Sequence, residues 1–185
     1  LSRAKTVILI AQLSAALKAN AELTEAVLAH AILKQPAPGT AAVRDVLLGN
    51  DLIDTVNPVA VPPAITTAVF PQHYRALRLL HKLLPLAASY QLDPSLIEWL
   101  LVNAHDLGWL ELDLIPYESG HTEASYQAYS DLASVLELAD MLTPVDNPAD
   151  AAHPITLWSV LEMTLPGSAA PRASSTCVNP PVDAP

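Results

Sequence analysis

Residues 71–104 read PQHYRALRLLHKLLPLAASYQLDPSLIEWLLVNA. In the first half, Leu77, Leu80, Leu84 and Ala87 recur at intervals of three and four, with Ala76, Leu79 and Leu83 beside them. Arg75, Arg78, Lys82 and Ser89 form the opposite stripe. This is the 3.6-residue period of a helix that turns one face to a core. Pro71 suits the first helical position, where its missing N–H costs nothing. Pro85 lies inside the pattern, so a kink or an early end is expected there. Asp93-Pro94-Ser95 then starts a second helix, with an acceptor side chain at the N-cap and proline at N1. From Ser95 to Ala104 only Glu98 and Asn103 interrupt the apolar residues Leu96, Ile97, Trp99, Leu100, Leu101 and Val102. A helix that is apolar nearly all round must be buried on most sides.

Working outward, the same signals recur and strand signals are scarce. Helices are expected over residues 3–19 and 22–34, with a break near Asn20. Pro36-Ala37-Pro38-Gly39 ends the second. Thr40 is a candidate cap for a short helix that runs to Leu48 and stops at Gly49-Asn50. Residues 57–71 read as a proline-rich linker. Its apolar residues Val59, Val61, Ile65, Val69 and Phe70 favour a course along a helix surface. Beyond the quoted stretch, Leu107 to Pro116 is irregular, with Gly108 as a turn and Leu110, Leu112 and Leu114 alternating as a short extended piece. A helix from Thr122 to Met141 should turn Tyr126, Tyr129, Leu132, Leu136 and Ala139 one way. Pro144, Pro148 and Pro154 define a loop, and a last helix spans about Thr156 to Leu165. The expected fold is all-α, an array of short helices joined by proline-rich turns, with a disordered or extended C-terminal tail. Four stretches follow: N-terminal helices over 1–56, the linker over 57–71, a helical module over 72–165, and a low-complexity tail over 166–185.

Composition narrows the function classes. The chain has 185 residues, 51% of them hydrophobic and 15% charged, so it can bury a core. Its net charge of −10 excludes a general phosphate-backbone binder, and no nucleic-acid partner is expected. The charge is divided: residues 1–82 carry +3 and residues 83–185 carry −13. Such a division fits complementary halves of one body, or a polarised interface for another subunit. No apolar run reaches the ~18 residues of a membrane span. Arg3 and Lys5 before Val7–Leu17, then Ala19-Asn20-Ala21, resemble a leader peptide. Lys18 falls between the run and the cut, however, and Gln12 and Ser14 interrupt it, so a helix is the better reading. The first residue, Leu1, fits a processed product or a piece of something longer. The one cysteine, Cys177, lies in the tail without a visible activating group and is read as incidental.

Chemistry-bearing motifs are few. The six histidines (His30, His73, His81, His105, His121 and His153) include no i, i+4 pair, so no helical metal site is expected. His105-Asp106 is the single His–acid neighbour pair. Glu98, Asp106, Glu111 and Asp113 are the carboxylates from which an acid–base pair would have to come. There is no phosphate-binding glycine loop, and no cofactor is expected. Trp99, Trp109 and Trp158 read as core anchors. The residues expected to carry packing or an interface are Leu77, Leu80, Leu84, Leu96, Trp99, Leu100, Trp109, Tyr126, Tyr129 and Trp158.

Two stretches resemble a known family. One comprises Phe70-Pro71, Ala76-Leu77-Arg78-Leu79-Leu80-His81-Lys82 and Tyr90-Gln91-Leu92-Asp93-Pro94-Ser95-Leu96-Ile97-Glu98-Trp99-Leu100-Leu101. The other is Gly108-Trp109-Leu110-Glu111-Leu112-Asp113-Leu114-Ile115-Pro116, then the Tyr126 to Leu142 helix and Thr156-Leu157-Trp158-Ser159-Val160-Leu161. Their order resembles the helical region of Tc-toxin A components and related large, neuraminidase-like insecticidal toxin proteins, over roughly residues 68–165. The resemblance implies a secreted virulence protein, made in the cytoplasm, whose helices form an outer shell around a translocation channel. It implies oligomeric assembly with protein partners and no catalytic residue here, since the Ser-x-Asp-x-Gly-x-Thr-Trp box is missing.

Three functions are therefore open. The first is a non-enzymatic structural module of a Tc-like toxin. The second is a stand-alone all-α binding module that recognises a basic partner through its acidic half. The third is a small hydrolase using His105 with a nearby acid.

Overall fold

Pro71 to Ser89 is one unbroken helix in the computed structural model of the chain, which describes residues 2–34, 40–49, 64–120, 123–148, 150 and 152–165. In chain order the described helices are α1 (Ser2–Leu17), α2 (Ala21–His30), α3 (Val43–Leu48), α4 (Pro71–Ser89), α5 (Pro94–Asn103), α6 (Tyr126–Met141) and α7 (Leu157–Thr164). A 3-10 turn at Leu112–Leu114 sits between α5 and α6. The described strands are β1 (Ile32–Leu33) and β2 (Ala41–Ala42), paired antiparallel with Ile32 opposite Ala42. The fold is all-α, as the periodicity implied. The expected character of residues 166–185, and the placement of Val59, Val61 and Cys177, lie outside the described residues.

Local chemistry sets the boundaries. Asn20 accepts from the N–H of Glu22 and caps α2, while Asp93 accepts from the N–H of Leu96 at 2.8 Å and caps α5. Lys18, at φ 53°, turns the chain left-handed and ends α1. Pro85 neither ends nor divides α4. It sits on the exposed face, so the carbonyl that loses a donor belongs to His81, which is itself exposed.

Several expectations need correction. The 22–34 helix stops at His30, because Ile32 and Leu33 pair with Ala41 and Ala42 across the chain instead of along it. Thr40 is not a helix cap, since that pairing carries the chain to Ala42 before α3 begins. Leu110, Leu112 and Leu114 do not form an extended piece. The chain winds into the 3-10 turn, which brings Leu112 and Asp113 both inside. α6 starts at Tyr126 rather than Thr122, because Ser125 takes the cap by accepting from the N–H of Ala128. Ile65 and Val69 are exposed, so the part of the linker they belong to is not laid along a helix.

One core runs through both the N-terminal helices and the 72–165 stretch. It includes Leu13, Val27, Leu28, Leu79, Leu80, Leu83, Leu84, Ile97, Leu100 and Leu112. α2 and α5 make the most extensive helix pair, with α1 and α3 against α2 and α3 against α4. α5 buries Ile97, Trp99, Leu100 and Asn103 but leaves Val102 half exposed. Ser14 donates to Thr24 at 3.1 Å, and Thr24 donates to the Asn20 carbonyl, which ties α1 to the start of α2. α6 and α7 are the lightly seated elements. α6 buries only Leu132 and Leu136, and α7 buries no residue completely.

Candidate functional site

The ten packing residues fall into three groups. Leu80, Leu84, Trp99 and Leu100 are buried in the core. Leu77, Leu96, Trp109 and Trp158 are half-buried and pack against it. Tyr126 and Tyr129 are exposed, which corrects the expectation of one face with Leu132 and Leu136. At 100° per residue Tyr126 lies well round the helix from those leucines, so it points away from the core. Tyr129, nearer the seam, hydrogen-bonds Tyr90 through the two hydroxyls, with ring centroids 6.4 Å apart. That hydrogen bond, then burial, then the charges of Tyr129 and Glu137 push the Tyr90 hydroxyl up to about 12.

All three tryptophans of the chain meet at one place. Trp99 of α5 lies 6.1 Å from Trp109 and 5.4 Å from Trp158 of α7, and Trp109 and Trp158 are 6.5 Å apart, edge to face. Such tilted and edge-to-face pairs add about 0.5–1.5 kcal/mol beyond area burial. Sequence reading marked each ring as an anchor, but not their convergence. The triad is what holds α7 to the core, helped by Leu161 and Leu165. Asn103 donates to the Trp99 carbonyl at 2.8 Å, while the Trp99 indole N–H is buried with no hydrogen-bond partner.

A second cluster is ionic. Lys34, just past β1, lies 2.7 Å from Glu111 and 3.0 Å from Asp113, and His105 Nδ1 lies 2.8 Å from the other oxygen of Glu111. Burial works to raise Glu111, but hydrogen bonds from Lys34 and His105 outweigh it and hold the carboxyl below its usual range. Asp113 is nearly enclosed, and burial raises it despite Lys34. Burial would lower Lys34, yet its bonds to the two carboxylates raise it. The hydrogen bond to Glu111 raises His105. Of the four expected acids, Glu111 and Asp113 are brought together on Lys34. Glu98 instead lies 3.2 Å from His30, and Asp106 is exposed in the turn after α5. A carboxylate-oriented imidazole acts as a general base when a nucleophile hydrogen-bonds its Nε2. Among the described residues no hydroxyl or thiol bonds His105, and no three His, Cys, Asp or Glu side chains form a metal site.

Among the described residues, two open grooves lie beside the bundle. One runs between α2 and α5 past Glu22, Glu25, Asp93 and Glu98, and the other between α4 and residues 116–119. The sequence places Arg78 and Lys82 on the stripe of α4 opposite its apolar face but does not point to the second groove. The signal for it, the approach of a turn 34 residues away, is not local. Among the described residues no helix is long and apolar enough to cross a membrane. No known protein family, curated protein or solved structure matches this chain.

Proposed function

We propose that this chain is a non-enzymatic helical packing module, one piece of the secreted shell of a Tc-like toxin A component. One observation carries the reading. α6 and α7 each seat one side on the core and leave large apolar side chains uncovered on the other: Tyr126 is 81% exposed, Met141 73% and Met163 68%. Leu138, Leu142, Val145 and Val160 add to this apolar exterior. We read these exposed apolar side chains as parts of a surface that another protein covers. Both helices fall within the stretch that resembles the toxin family. The mechanism is packing: the outer sides of α6 and α7 dock against neighbouring helices of a larger assembly.

Sedimentation velocity over a range of concentrations tests this. The isolated chain should self-associate, and Met141→Glu with Met163→Glu should return it to a monomer. A chain that is monomeric at every concentration overturns the reading. A parent reading frame many times the length of this chain is the matching genetic expectation.

Charge favours a second reading, a stand-alone module for a basic partner. Residues 83–165 contain no lysine or arginine, so the carboxylates of α6 and α7 have no fixed cation within that stretch. Binding of that kind weakens steeply as salt rises, because exposed charges are screened over about 8 Å at physiological ionic strength. Affinity indifferent to salt excludes it.

A further inference from the structure

We infer that the groove between α4 and residues 116–119 is a binding site for an acidic peptide segment of a partner protein. The inference is independent of the α6–α7 surface and stands if that reading fails. On a chain of net charge −10, this groove gathers cations. Arg78 and Lys82 stand four residues apart on α4, which places them side by side, about 6 Å between Cβ atoms. Arg78 donates through Nη2 to the Tyr117 carbonyl at 3.3 Å, and Lys82 donates through Nζ to the Pro116 carbonyl. Each uses one donor there. Arg has five N–H groups and Lys three, so both keep donors for a ligand in the groove that they line. Neither has a carboxylate partner among the described residues, although both are exposed.

The one acid of the groove is already neutralised. Glu118 lies 3.5 Å from Arg75, so its charge is offset by a cation beside it. Tyr74 forms an apolar wall with a hydroxyl edge, and Ser119 adds a hydroxyl at the rim. The groove is shallow and open, with a volume of about 620 Å³. A lone phosphate or carboxylate would leave most of that volume empty. A short extended segment with two carboxylates fits both the volume and the paired cations, and a bidentate pairing with Arg78 would fix its register.

The probe is a labelled hexaglutamate peptide, followed by fluorescence anisotropy at low salt, with hexaglutamine as control. The full chain should bind hexaglutamate and not hexaglutamine, and binding should weaken as salt rises. Arg78→Gln with Lys82→Gln should lose about tenfold in affinity, as two exposed ion pairs warrant. Ser119→Asp leaves both carbonyl bonds in place and sets a carboxylate in the rim, so it should lose a similar factor with an unchanged melting curve. Arg44→Gln, far along the chain on α3, should bind like the parent. Absence of hexaglutamate binding, or equal loss in Arg44→Gln, overturns the inference. Displacement of the probe by inorganic phosphate at matched ionic strength would make this a small-anion site and overturn the peptide reading. A fall in self-association of the Arg78/Lys82 variant would seat a second copy there and overturn the assignment to a separate partner.

Discussion

Leu100 has no exposed surface and sits where α5 meets the rest of the core. Leu100→Ala removes that contact and leaves a cavity, so it should cost about 2–5 kcal/mol in urea unfolding. His105 tests the ionic cluster differently, through pH. Its folded value lies above 6.5, so its bond to Glu111 favours the native state fully below 6.5 and fades as pH rises through the folded value. Glu111 is held below 4.5, so its contribution is present above 4.5 and is lost as pH falls through its own folded value. The stability gap between the parent chain and His105→Gln should therefore be widest between 4.5 and 6.5 and should close as pH rises through the folded value of His105. A gap that does not vary with pH would show that His105 acts only through its shape. This cluster was illegible in the sequence. Lys34 and Glu111 are 77 positions apart, and only folding puts them within 2.7 Å.

At the scale of the element, legibility followed locality. α4 and α5 could be read because their period and caps lie within a few residues, and Asp93 does cap α5 as its position before Pro94 implied. Asp93→Ala should cost about 1 kcal/mol, measurable as a lower melting temperature. The end of α2 could not be read in the same way, because the competing partner for Ile32 and Leu33 is a strand at Ala41 and Ala42. Tyr126 was misplaced for a related reason. It lies in the first turn of α6, about 120° round the helix from Leu132, where no other described element covers it. α7 is a sharper case. Eight residues are too few for a helix stable alone in water. Its capping box between Thr156 and Ser159 sets where it starts, and Trp158 sets whether it stays. Trp158→Ala should free α7 to limited proteolysis while the thermal transition of the remaining core moves little.

Across the whole molecule, stability is uneven. α2, α4 and α5 hold most of the fully buried leucines and valines, whereas α6 buries only two leucines and α7 rests on partly buried contacts. Amide hydrogen exchange should therefore separate two classes, with α6 and α7 exchanging well before α2 and α5. In an assembly that covers the outer sides of α6 and α7, their protection should rise toward that of the core. Uniform protection in the isolated chain would contradict this division. The charge division has a spatial counterpart as well: the cations of α4 and the carboxylates of α6 and α7 belong to different helices of one body.

The convergence of Trp99, Trp109 and Trp158 also makes the protein its own optical reporter. Indoles held this close at fixed tilts share their electronic excitation, which gives a signed couplet in circular dichroism rather than three independent bands. The chain has no other tryptophan, so all of its indole emission comes from the junction of α5 and α7. Loss of the couplet times the release of α7.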